Sequence, residues 1–458
     1  MARKNSKLYL YLLYMALICT GLYFLNNLSI FEKKEPDIFV DSIIYNNFKE
    51  PIILNVKDEQ SGIKNIKITL KKDLNDSGVV LTEQDIDKQK DISIQVVLPK
   101  LPYKEKIDAY LLEIQAKDSS FWNFFSGNLA KKLVAISVDT QKPDIKVLAN
   151  STYIEQGGGA SVVFKVDDKN LDKVYIQTNK GKIFNVVPYI KDGYYASLIA
   201  WDSKDEEFRA YIIASDKAGN LSKERIRFYF KNRKYKNSNI NLSDKFLDGK
   251  IEELASKYAP KDNNFTRLEK FKFVNENLRL SNEDFIHKMT SSIKENKIND
   301  FKVNIFLPLK NALKVGDFAD HRYFFYDGKF VSDSYHLGLD LASVAKAPII
   351  SSNGGKIIFA QENGIYGLNV IAYHGFGIYS LYGHCSSKDV DLDENIKSNS
   401  IIARTGTSGL ALGDHLHFGI LIQGVEVRPE QWQDKNWIKE NIYKVLDDGK
   451  KIILDENR

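Results

Sequence analysis

The chain has 458 residues, 43% hydrophobic and 27% charged, which suggests a globular protein of about three domains. Its formal net charge of +5 is small for that length and gives no case for a nucleic-acid partner. The two cysteines, Cys19 and Cys385, make no disulfide framework, because Cys19 lies in an apolar segment.

Residues 8–25 are nearly all apolar, with several tyrosines and no charge, and Arg3, Lys4 and Lys7 precede them. The run is just long enough to span a bilayer. The basic flank is expected to stay in the cytoplasm, which puts everything after about residue 30 outside. No small-x-small cleavage site succeeds it, so residues 1–30 are expected to remain as a single-pass transmembrane anchor. The C-terminal domains would then face the periplasm from the inner membrane.

From Asp37 to Lys231 the chain reads as strands separated by turn-rich segments, in runs such as "PIILNV", "ISIQVVL", "SVVFKV" and "RAYIIAS". An internal repeat is visible: "PIILNVKDEQSGIKNIKITL" parallels "ASVVFKVDDKNLDKVYIQTN". Residues 36–140 and 141–232 are each the size of an immunoglobulin-like β-sandwich. The second resembles bacterial immunoglobulin-like modules in its "ASDKAGN" turn. Asp167, Asp168 and Asp216 could suggest calcium, but turns favour aspartate through local backbone hydrogen bonds, and that reading is preferred. Phe121, Trp122, Phe124 and Phe125 form an aromatic run that is expected to pack in a core; an exposed one would suggest contact with a partner or membrane.

Residues 233–300 change to helical spacing, in "LSDKFLDGKIEELASKY" and "NEDFIHKMTSSIKE". This segment and the sandwiches are expected to fold separately from the region that begins at Phe301. His287 is read as structural and His321 as a surface histidine.

Residues 301–445 are rich in short strands and glycine turns, which fits an antiparallel β fold with long loops. Four of the seven histidines fall in three short segments here: His336-Leu-Gly-Leu-Asp340, Tyr-Gly-His384 and Asp-His415-Leu-His417-Phe. Zinc suits such a set, because it takes imidazole nitrogen and carboxylate oxygen, and a catalytic site keeps one position open for water. Three ligands are enough, so five candidates leave two residues for proton handling. His415 and His417 share one face of an extended strand. His336 and Asp340 would lie roughly 13 Å apart in a regular strand, too far to meet on one ion. A bend or bulge at Gly338 is therefore expected.

Together these residues resemble the catalytic pattern of LytM/lysostaphin-like zinc metallopeptidases, which cut peptide cross-links in bacterial peptidoglycan. The resemblance runs from Phe301 to Ile442 and includes "GDFADHRYFFYDG", "HLGLDLAS", "YHGFGIYSLYGHCS", "ARTGTSGLALGDHLHFGILI" and "VRPEQWQDKNWI". It implies one Zn2+ held by His336, Asp340 and His417, with His384 and His415 as non-ligand catalytic histidines. It also implies a mostly antiparallel sheet with a groove for an extended peptide, and peptidoglycan stem peptides as substrate. His374 is read as a turn residue, and Cys385 as a small buried one.

The fold class expected is thus mainly β: transmembrane helix, two immunoglobulin-like sandwiches, a short helical segment and a C-terminal LytM-type peptidase domain. The function expected is a zinc endopeptidase, with D-alanyl–diaminopimelate cross-links as the bond. Its rivals are a non-catalytic activator of a wall amidase, which would usually lack ligands, and an adhesion or structural envelope protein.

Overall fold

The structure is a computed structural model that describes residues 2–26, 28–99, 108–261 and 264–456, with side chains of the first helix described from Leu8 to Phe24. Arg3, Lys4, Lys7 and Leu25 thus have side chains outside the described residues.

The first helix is Ala2–Asn26, and its side chains from Leu8 to Phe24 are exposed. Among the described residues no helix is long and apolar enough to cross a membrane, so the expected transmembrane anchor is not supported. Within it the Thr20 hydroxyl donates back to the Ala16 carbonyl at 2.8 Å.

The chain divides into two compact units. The first comprises residues 1–142 with two short pieces, 170–172 and 215–221. Two sheets build it. Asp37–Phe39, Ile52–Lys57 and Asp91–Val96 make three strands. Ile43–Asn46, Leu129–Val138, Ala109–Asp118, Ile63–Lys71 and Val79–Gln89 make five, in that order. Period-two alternation explains the packing: Ile52, Leu54 and Val56 are buried while Ile53, Asn55 and Lys57 are exposed. These residues meet Ile66, Ile68, Leu112, Ile114 and Val134 in one core. Each such side chain, fully buried, contributes about 1.5–3 kcal/mol. Asp216 accepts from the Asn220 backbone N–H and side-chain amide, both at 2.8 Å, which is the local turn bonding expected of it. The aromatic run is not in the core. Phe124 is 99% exposed, and Asn123, Phe124 and Phe125 all have positive φ, which turns the loop outward.

The second unit holds the remainder. Its N-terminal part includes two four-stranded sheets, one ordered Val187–Tyr189, Lys191–Ala200, Gly159–Asp167, Asp144–Asn150, and a parallel pair, Tyr153–Glu155 with Tyr229–Lys231. Next come helices Asp244–Phe246, Glu252–Tyr258, Arg267–Lys272 and Arg279–Met289. Thr266 and Glu269 form a reciprocal capping box that starts the third of these. Leu254, Phe271, Val274 and Ile286 bury one face against Phe324, Val331, Ile371 and Leu421, so helices and the strands C-terminal to them share one core.

The strands that carry Ile371 and Leu421 belong to an eight-stranded sheet. Its order is Leu313–Gly316, Leu339–Ala342, Leu416–Ile422, Ile378–Cys385, Leu368–Tyr373, Gly355–Glu362, Asn395–Ile396, with Val425–Val427 beside Leu416–Ile422. These pairings are antiparallel. A separate hairpin, Asp320–Tyr326 with Lys329–His336, lies in a three-stranded sheet. The site stands where the chain passes from this hairpin into the large sheet.

Candidate metal centre and active-site pocket

His336 is the last residue of its hairpin strand, and Asp340 lies in the next strand, which belongs to the other sheet. The break falls at Leu337-Gly338, so His336 and Asp340 are brought together across a change of sheet. Gly338 is required by close approach: a Cβ there would come within 2.7 Å of Cε1 and Nε2 of His417. Gly316 plays the same part for Asp340, whose carboxylate would collide with an added Cβ. Sheet register does the rest. Asp340 pairs directly with His417, and His417 with Gly383, so the Asp340 and His417 side chains stand opposite each other on one face.

The three donor atoms converge. His336 Nε2 is 2.9 Å from Asp340 Oδ1 and 3.1 Å from His417 Nδ1, and His417 Nδ1 is 3.1 Å from Asp340 Oδ1. Ligands about 2.05 Å from a tetrahedral ion stand roughly 3.3 Å apart, so this spacing fits a zinc ion. The tautomer fits too. A backbone carbonyl can only accept, so the 2.7 Å contact from His336 Nδ1 to the Asp317 carbonyl puts the proton on Nδ1 and leaves the Nε2 lone pair for the centre. Burial alone would raise the Asp340 pKa, but His336, with His415 and His417 close by, holds its carboxyl well below the usual range. Burial pushes the His417 imidazole down to about 4.

The other two histidines stand beside this trio without joining it. The His384 ring is 4.9 Å from that of His415 and 5.8 Å from that of His417. His384 Nδ1–H donates to the Ser408 carbonyl at 2.8 Å, and His415 Nδ1–H donates to the Gly413 carbonyl at 2.9 Å. Each ring is thereby oriented, with Nε2 as its remaining nitrogen. His415 Nε2 is 3.6 Å from Asp340 Oδ1. His384 has φ of 62°, a left-handed conformation that costs a non-glycine residue about 1–3 kcal/mol and is tolerated where the surroundings enforce it. Burial, with His417 and His415 adding, holds the His384 imidazole down to about 3. The loop before His415 is tied by Asp414, whose carboxylate accepts from the Thr405 hydroxyl at 2.5 Å and the Lys346 N–H at 3.0 Å.

All five residues line one pocket of about 440 Å³. Arg279, Arg322 and Tyr366 line it as well. Sequence reasoning passed over these three. Arg322 lies inside "GDFADHRYFFYDG" and could have been found there, whereas nothing in "NENLRLSNED" marks Arg279. The remaining histidines are elsewhere. His287 Nε2 meets both oxygens of Glu426 at 2.8 and 2.9 Å. His321 donates to Asp333 at 2.6 Å and stacks on Tyr335. His374 uses both nitrogens, on the Gly354 carbonyl and the Ser380 hydroxyl. Cys385 is buried, which pushes its thiol up to about 12.

The pattern of these residues has counterparts in known proteins. The model of Peptidase family M23 matches residues 334–429. DD-carboxypeptidase/endopeptidase Mpg of Neisseria meningitidis serogroup B is 33% identical over 94 residues, 20% of this chain and 22% of that protein. Murein hydrolase activator EnvC of Escherichia coli is 37% identical over 78 residues, 17% of this chain and 19% of that one. The aligned region thus spans about a fifth of the length of these curated relatives. Among solved structures, a zinc containing peptidase from Vibrio cholerae aligns at 11% identity and a TM-score of 0.27, covering 75% of this chain and 86% of that one. Residues 334–429 of this chain are a peptidase family M23 domain of the LytM type.

Proposed function

We propose that the chain is a zinc-dependent endopeptidase that hydrolyses peptide cross-links of peptidoglycan. The observation that carries this reading is the convergence of His336, Asp340 and His417 donor atoms within 4.8 Å of one another, with His384 and His415 beside them. His336 Nε2, Asp340 Oδ1 and His417 Nδ1 would hold the zinc. When bound, zinc supplies Lewis-acid chemistry and an acidified water. His384 and His415 move the protons through Nε2: one accepts from the attacking water, and the other supplies the leaving amine. The Ser408 and Gly413 carbonyls fix both rings for that work. A complete donor set with both extra histidines favours an enzyme over a binding-only activator of a wall amidase.

The bond we assign is D-alanyl–diaminopimelate. A wall substrate requires that the pocket face the periplasm, and we propose that the exposed apolar helix around Leu8–Phe24 holds the chain at the inner membrane. Incubating the purified chain with cross-linked dimeric muropeptides and identifying products by mass spectrometry tests the reaction. Two monomers are expected; release of stem peptide from the sugar, or no cleavage, would contradict it.

A further inference from the structure

We propose that Arg279, with Arg322, forms a subsite that reads a free carboxylate next to the scissile bond; this rests on the endopeptidase reading above. Arg279 comes from the helical segment, outside the matched residues 334–429, yet it lines the same pocket as the metal donors. It opens the helix Arg279–Met289 directly after a π-helical turn at Phe273–Leu278, a local distortion often found at functional sites.

Its placement is built. Asn275, itself buried, donates to the Ser332 hydroxyl at 3.0 Å and to the Asp333 carbonyl at 3.1 Å, on the strand that ends in His336. The same side chain accepts from Arg279 Nε at 3.3 Å and Nη2 at 3.2 Å. Farther along the helix, Asn282 accepts from the Ile365 N–H at 2.9 Å, and His287 pairs with Glu426. The guanidinium is thus fixed against the wall that carries the metal site.

One side of its fork is left for a ligand. Nη1 approaches Glu283 no closer than 3.9 Å, beyond hydrogen-bond length. The side chain keeps 17% of its surface accessible, on a pocket that Arg322 also lines. Arg322 Nη2 is 3.6 Å from Asp340 Oδ2, and its Nε is 3.4 Å from Asp320. The pocket's two carboxylates are already used: Asp340 by the donor trio, and Asp414 by Thr405 and Lys346. Glu283 and Asp320 are the ion-pair partners of Arg279 and Arg322, at 3.9 and 3.4 Å, so what the two guanidinium groups offer a ligand is N–H donors rather than an excess of positive charge. The planar fork of arginine matches a carboxylate.

A substrate carboxylate supplies the acceptor for those donors. In a D-alanyl–meso-diaminopimelate cross-link, the carbon bearing the scissile nitrogen carries a free carboxylate. In a glycine bridge, the corresponding carbonyl is already spent in the next peptide bond. The subsite therefore selects the first kind of cross-link.

The test compares two cross-linked dimers that differ only at that carbon, one with the carboxylate and one with a carboxamide. Wild type is expected to favour the carboxylate in kcat/KM on the order of 10- to 100-fold. In Arg279→Gln the ratio should fall close to one, mainly through a higher KM, with zinc content held. Arg279→Lys, which keeps the charge without the fork, should give an intermediate ratio. Equal cleavage of both dimers by wild type, or an unchanged ratio in Arg279→Gln, would overturn the subsite while leaving the endopeptidase reading intact. The wild-type comparison decides even where a variant fails to fold. Cleavage of neither dimer would sink the endopeptidase reading and the subsite with it.

Discussion

The donor trio and the histidine pair share one pocket but are held differently. His417 and Asp340 are fixed by sheet register, as direct neighbours on adjacent strands. His384 and His415 are fixed by single hydrogen bonds to the carbonyls of Ser408 and Gly413, and His384 sits in a strained backbone conformation. Two of the three donors, Asp340 and His417, lie inside the large sheet, while His336 ends the hairpin strand beside it. His384 is the penultimate residue of strand Ile378–Cys385, and His415 stands one residue before strand Leu416–Ile422.

The largest effect expected is on the trio. Asp340→Ala or His417→Ala should lose zinc and cleavage together, down to background, read by elemental analysis and muropeptide assay. His384→Ala and His415→Ala should keep zinc and lose rate by a factor on the order of 100 to 10,000. If His415→Ala emptied the site while His417→Ala did not, their roles would be exchanged. The next effect is smaller and purely steric. Gly338→Ala pushes a methyl against the His417 ring and should weaken zinc binding about 10- to 100-fold, as misoriented ligands do. Zinc titration against a chelating indicator measures it, and unchanged affinity would show that the ring can shift freely.

The smallest effect lies away from the pocket. Burial opposes the charge on His287, yet Glu426 raises its pKa above 6.5. A raised histidine stabilises fully below about 6.5, its unfolded value, and loses that contribution as pH rises through the folded value. Glu426 is lowered below 4.5 despite burial, chiefly by His287, so its share is lost as pH falls through that lowered value. The difference in melting temperature between wild type and His287→Ala should therefore be greatest between pH 4.5 and 6.5 and shrink above that window. A difference independent of pH would mean that packing, not charge, makes this contact.

Much of the site was legible because its residues cluster in three short segments. The spacing arithmetic at His336 and Asp340 demanded a bend at Gly338, and the chain changes sheet there. Arg279 was not legible. It reaches the pocket through a helix whose apolar periodicity marks a buried face but not the partner that face meets. Nor was the exposure of Phe124, because aromatic composition favours a core while the positive φ values that turn it outward leave no mark in composition. At the N-terminus, the run read as a membrane span by its length and lack of charge is not supported among the described residues, which leave out the side chains of Leu25 and of the basic flank.

The central claim is that one zinc, held by His336, Asp340 and His417, makes this domain a peptidase. The most direct measurement strips the purified chain with a chelator, then titrates zinc back while monitoring cleavage of a cross-linked dimer. Cleavage should vanish on stripping and return in proportion to zinc, reaching its plateau at one ion per chain. Full cleavage by metal-free protein, or a zinc-loaded chain that leaves the dimer intact, would contradict the account.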